Sequence, residues 1–147
     1  MLRKLRILFP ESGEFEQDIE KLLRLATASL LVEVARADFE RDISEEEVIL
    51  TQLENILNIS HDEAERIILN AEDQVEKSTS IYEFTSLINE HCSIKQKLSL
   101  LRSMWRIAYA DKNIDRYEEH LIRRVAELIH VNHSQYIKTK LDAGKPN

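Results

Sequence analysis

Apolar residues recur along this chain at steps of three and four, in blocks separated by short polar stretches. From about Phe15 to Ala37 the residues Ile19, Leu22, Leu23, Ala26, Leu30 and Val34 form one stripe, which predicts a long amphipathic helix. Further stripes are Val48, Ile49, Leu53, Ile56 and Leu57, then Ala64, Ile67, Ile68, Ala71 and Val75. A shorter one holds Ile81, Phe84, Leu87 and Ile88. Two more follow, Ile94, Leu98, Leu101, Trp105 and Ala108, and then Leu121, Ile122, Val125, Leu128 and Ile129. A seventh helix is predicted after Asn132 or Ser134, reaching about Leu141. The helix starts are marked as well. A capping box sets Ser, Thr or Asp at the N-cap and Glu or Gln three residues on, so that two orphan N–H groups are satisfied reciprocally. Ser44 with Glu47, Ser60 with Glu63, Ser80 with Glu83 and Ser93 with Gln96 fit this pattern, and Asp115 with Glu118 is a close variant.

A repeat lies beneath the helices. Ala35-Arg36-Ala37-Asp38 and Ala108-Tyr109-Ala110-Asp111 each close a helix and lead into a polar loop. An isoleucine (Ile43, Ile114), a cap (Ser44, Asp115) and an acidic helix start follow in both. The offset is 73 at the Ala-Asp pairs and 72 in the next helix, so the loops differ slightly in length. Two helix–acidic loop–helix units suggest pseudo-twofold packing.

Composition narrows the fold class. Of 147 residues only 2 are glycine and 2 proline, and none of them falls between Glu14 and Ala143. Tight hairpins and phosphate-cradling loops need glycine for positive φ or for close backbone approach. Their absence excludes a nucleotide loop or a sheet of short hairpins, whereas helix–helix connections do without glycine. The expectation is an all-α bundle of about seven helices. Its single domain spans 1–147, with a core of about 15–141, an N-terminal strap at 1–12 and a flexible tail at 142–147.

Charge and cysteine usage exclude further classes. The net charge of −7 divides into +3 over residues 1–10, −15 over 11–90 and +5 over 91–147. The plain reading is two solvated faces of opposite sign. Nucleic acid is not expected as a partner, because phosphate-backbone binding needs a concentrated basic face. Cys92 is the one cysteine, so an intramolecular disulfide and multi-cysteine metal sites are excluded. With no apolar run of membrane-spanning length and no signal-peptide core, a cytoplasmic location is expected.

The acidic turns are the leading candidates for chemistry. Hard cations such as Ca²⁺ and Mg²⁺ take several carboxylate and carbonyl oxygens at once. Asp38, Asp42, Glu46 and Glu47 would meet Asp111, Asp115 and Glu118 if the two units pack back to back. An EF-hand is excluded. A loop starting at Asp111 has Asn113 and Asp115 at positions three and five, but Arg116 replaces the glycine and Ile122 the bidentate glutamate. Helix capping by Ser44 and Asp115, with early glutamates favouring the helix N-terminus, accounts for the same residues without a metal.

Other motifs are weaker. Glu127, His130 and His133 supply one Glu-x-x-His, where di-iron sites need two and further glutamates. His91 beside Cys92 is a poor ligand set, and Cys92 as a nucleophile with His61 or His91 as base has no local signature behind it. Trp105 and Tyr109 at helical spacing read as core and core edge. Leu2, Leu5, Ile7, Leu8 and Phe9 with Arg3, Lys4 and Arg6 read as a packed strap, with contact to an anionic membrane as the weaker alternative.

The doubled Ala-x-Ala-Asp, loop, Ile, x-x-x-Glu pattern resembles the TerB family, named for tellurite resistance. The resemblance covers roughly Phe15 to Leu141. It is closer in the second unit, where Ala110, Asp111, Ile114, Glu118 and Ile122 fall at the expected steps. The first unit departs through a longer loop, Phe39-Glu40-Arg41-Asp42, and Phe39 and Lys112 stand where the family usually has glycine. The resemblance implies a compact all-α fold of about seven helices and a cytoplasmic, stress-linked role involving metal ions or membrane-associated complexes. The resulting expectation is a non-enzymatic bacterial stress-response binding or scaffold module whose acidic units take a cation or a basic partner. Protein partners or a homo-oligomer are expected, and Ca or Mg is the candidate cofactor. The alternatives are a divalent-cation sensor and, remotely, a metal- or Cys/His-dependent enzyme.

Overall fold

The computed structural model describes residues 13–36, 43–77, 81–111, 114 and 116–144, the side chains of 13–17, 43–45, 76, 77 and 111 excepted. Seven α-helices lie among the described residues: α1 (Gly13–Arg36), α2 (Ile43–Leu57), α3 (His61–Lys77), α4 (Tyr82–His91), α5 (Ile94–Ala108), α6 (Arg116–Leu128) and α7 (His133–Ala143). A 3-10 turn, Tyr109–Asp111, follows α5. The all-α bundle expected from periodicity is what forms. The expected strap at 1–12 lies outside the described residues. Of the expected tail at 142–147, Asp142 and Ala143 are helical and the Gly144 N–H donates to the Lys140 carbonyl at 3.1 Å, while 145–147 lie outside the described residues.

α1 is the centre of the bundle and contacts α2, α3, α4, α5 and α6. Its apolar surface is wider than the predicted stripe. Ala28, Ser29, Leu31, Val32 and Ala35 are buried together with Ala26, Leu30 and Val34. A helix covered on all sides needs apolar or small residues on all sides, and the run from Leu25 to Ala35 supplies them. Glu33 is the exception, half-buried, and burial raises its carboxyl pKa while Arg36 works against the shift.

The caps are partly as expected. Ser93 and Gln96 form a complete capping box at the start of α5, with bonds of 2.8 and 3.2 Å. Ser60 Oγ accepts from the Glu63 N–H at 3.2 Å, and Asn132 Oδ1 accepts from the Gln135 N–H at 2.9 Å, which settles the start of α7. Two expectations change. α2 begins at Ile43, so Ser44 falls inside its first turn rather than on the cap. α4 begins at Tyr82 with Ile81 in the cap position, whose side chain makes no capping bond. Ser80 and Asp115 lie outside the described residues.

α2 packs on α1 and α6 packs on α5, so both predicted helix–loop–helix units are present as packed pairs. Their surroundings differ: α1 also contacts α3 and α4, whereas α5 contacts α7. The expected twofold relation is therefore not established by the packing. Trp105 is fully buried on α5, with the Tyr109 and Tyr136 rings 6.0 and 5.7 Å away, which is the core role its spacing suggested. Lys140 Nζ stands 5.2 Å from the Trp105 ring centre and 3.2 Å from Glu119, fastening α7 to α5 and α6.

Candidate functional site

Each acidic unit enters its second helix through a carboxylate-rich turn, but the carboxylates have unlike surroundings. Glu46 and Glu47, in the first turns of α2, are exposed. Glu118, in the first turn of α6, has no exposed surface. Asp38, Asp42 and Asp115 lie outside the described residues, and so does the side chain of Asp111, whose backbone closes the 3-10 turn. That turn packs against α2, so the end of the second Ala-x-Ala-Asp segment lies on the helix that follows the first. Among the described residues no group of three or more His, Cys, Asp or Glu side chains is arranged to hold a metal ion.

The histidines separate. His130 ends α6 in a left-handed conformation with φ 62°, and His133 opens α7, so Glu127, His130 and His133 do not share one helical face. His61, the first residue of α3, has Nδ1 3.2 Å from Glu54 and Nε2 2.9 Å from Glu65. A ring flanked by carboxylates at both nitrogens favours the protonated form, in which both can donate. Desolvation lowers its pKa, but Glu65 and Glu54 outweigh that and the net shift is upward. His61 is thus committed to α2 and α3 rather than to Cys92. Burial pushes the Cys92 thiol up, and the charge opposing that shift is Lys97, not a histidine. A thiol kept protonated is a poor nucleophile.

A cavity between α1, α2 and α5 is not among the sites expected from the sequence. It is a concavity open to solvent on one side, with a volume of about 590 Å³. Leu23, Ile56, Leu57, Ile88 and Leu100 form apolar parts of its wall, and Arg24, Lys95, Arg102 and Arg106 bring positive charge to it. Among the described residues Glu20 is the one acidic side chain lining it, and it pairs with Arg24 at 2.9 Å. The buried Gln52 joins α2 to α5: its Oε1 accepts from Ser103 Oγ at 3.1 Å and from Arg106 at 3.3 Å. Arg102 donates to Ser99 Oγ at 3.0 Å.

Comparison with known proteins bears on both the acidic turns and the bundle that carries them. The model of the family described as tellurite resistance protein TerB matches residues 24–141. The chain belongs to the TerB family. The match runs from within α1 to within α7, so both acidic units fall inside the TerB region. No curated protein and no solved structure matches the chain. No TerB helix among the described residues is long and apolar enough to cross a membrane.

A signal for the cavity was present in the TerB sequence. Lys95, Ser99, Arg102 and Arg106 follow one another at steps of four, three and four on α5, opposite Leu101, Trp105 and Ala108. In the sequence alone, the net positive charge after residue 90 reads as a solvated face. The concavity formed by α1 and α2 opposite that stripe is a product of tertiary packing, and one helix's periodicity does not contain it.

Proposed function

We propose that this TerB-family chain is a non-enzymatic binding module in a tellurite-resistance-related stress response. Its two acidic helix–loop–helix units take a divalent cation, Ca²⁺ or Mg²⁺, or a basic protein partner. The observation that supports this reading is the packing of the 3-10 turn ending at Asp111 against α2, whose first turns carry the exposed Glu46 and Glu47. Helix starts carry partial positive charge and favour nearby carboxylates, so such turns hold acidic groups at modest cost. Hard cations recruit just such groups of oxygens.

Calorimetric titration of the full chain with Ca²⁺, Mg²⁺, Mn²⁺ and Zn²⁺ tests the cation arm. A saturable heat with Ca²⁺ or Mg²⁺ is expected, lost in the Asp38→Ala, Asp111→Ala double variant. No saturable heat with any of the four would remove that arm and leave the basic partner.

A further inference from the structure

We propose that the cavity between α1, α2 and α5 is a binding site for a small organic anion, specifically a phosphate monoester. Arg102 and Arg106 take the charged group, and Leu23, Ile56 and Leu100 take the apolar part. This site is separate from the acidic turns and does not depend on their role.

Size is the first argument. A volume of about 590 Å³ falls within the roughly 300–1,000 Å³ of small-molecule sites and far exceeds what a bare oxyanion fills. Charge is the second. Glu20 is taken by Arg24, and among the described residues no carboxylate pairs with Lys95, Arg102 or Arg106. In a chain of net charge −7, three uncompensated cations at one concavity run against the average composition. Several positive side chains lining one concavity favour a dianion over a singly charged ligand.

Orientation is the third argument. Arg102 is held by a serine hydroxyl and Arg106 by the Gln52 carbonyl oxygen, both neutral acceptors. These bonds restrain the guanidinium groups without cancelling their charge, so less ordering remains to be done on binding. Gln52, whose Oε1 accepts from both Ser103 and Arg106, also lines the cavity. Guanidinium forks beside an apolar wall suit a phosphate on an organic body.

The test is a heteronuclear NMR titration of the full chain with phenyl phosphate, inorganic phosphate, benzoate and phenol. Saturable shifts with phenyl phosphate are expected at the Gln52 side-chain amide and the Ser99 and Ser103 amides. Inorganic phosphate should bind more weakly and phenol not at all. Arg102→Gln and Arg106→Gln should each weaken phenyl phosphate about tenfold, as loss of one charge-assisted hydrogen bond predicts. Lys95→Gln, on an exposed side chain, should weaken it less and serves if either arginine variant fails to fold. Absence of saturable shifts at these amides, or affinity unchanged in the folded variants, would overturn the site. Benzoate binding as tightly as phenyl phosphate would overturn the assignment to a phosphate.

Discussion

Asn58 and His130 adopt positive φ, 53° and 62°, at the ends of α2 and α6. After α6 the Val131 N–H reaches the Ala126 carbonyl at 2.9 Å and the His130 N–H reaches that of Glu127 at 3.1 Å, the paired bonds of a Schellman ending. After α2 the Ile59 N–H reaches the Glu54 carbonyl at 3.3 Å. Glycine would normally occupy both places, and this chain has none there. Asparagine tolerates the left-handed region, whereas histidine carries a steric cost of about 1 kcal/mol. His130→Gly is therefore expected to stabilise the protein by about 1 kcal/mol in urea denaturation. Asn58→Gly should gain less, and a loss of stability in both would show that no such strain is carried.

His61 gives a pH-dependent counterpart. Its folded pKa is raised by Glu65 and Glu54 against desolvation, so the contact contributes fully in mildly acidic solution. The contribution is lost as the pH rises through the folded pKa. Thermal denaturation across the neutral range should show the wild type converging on His61→Gln towards alkaline pH. The side chain is exposed, so the gap at acid pH should be small; a gap that widens with pH would refute the assignment.

At the scale of one helix, α1 shows what periodicity reveals and what it conceals. Its existence and extent were legible, since Gly13–Arg36 differs little from Phe15–Ala37. Its central position was not, because the three-four stripe leaves out Leu31 and Val32. The denser apolar run from Leu25 was the available sign that several helices would cover it. Leu31 is fully buried, and truncation to alanine is expected to cost about 3 kcal/mol, as for other buried leucines. A cost near that of an exposed leucine such as Leu69 would contradict the central placement. Glu33 belongs to the same helix and runs the other way. Burial raises its folded pKa, so wild-type stability attributable to it is present in acid and lost as the pH rises through that pKa. Glu33→Gln should raise the melting temperature at neutral pH, with the difference closing in acid as the wild-type carboxyl takes up its proton.

The whole molecule joins an acidic first part to a basic later part through α1, α2 and α5. The acidic starts of α2 and α6 were legible because Ala-Asp pairs and runs of glutamate are local signals. The basic cavity was not, because its walls come from separate helices. Gln52 marks the seam, a buried amide on α2 whose partners Ser103 and Arg106 lie on α5. Gln52→Leu keeps the bulk but removes the acceptor, leaving the buried Ser103 hydroxyl without this bond at a cost of about 1–3 kcal/mol. Ser103→Ala removes the donor instead. If this bond ties the two helices, Gln52→Leu with Ser103→Ala should cost less than the two changes summed, because the second substitution leaves no orphaned hydroxyl. Urea denaturation of the four proteins measures the coupling. Strict additivity would mean that α2 and α5 are held by their apolar contacts alone, with Gln52 a passenger at the interface.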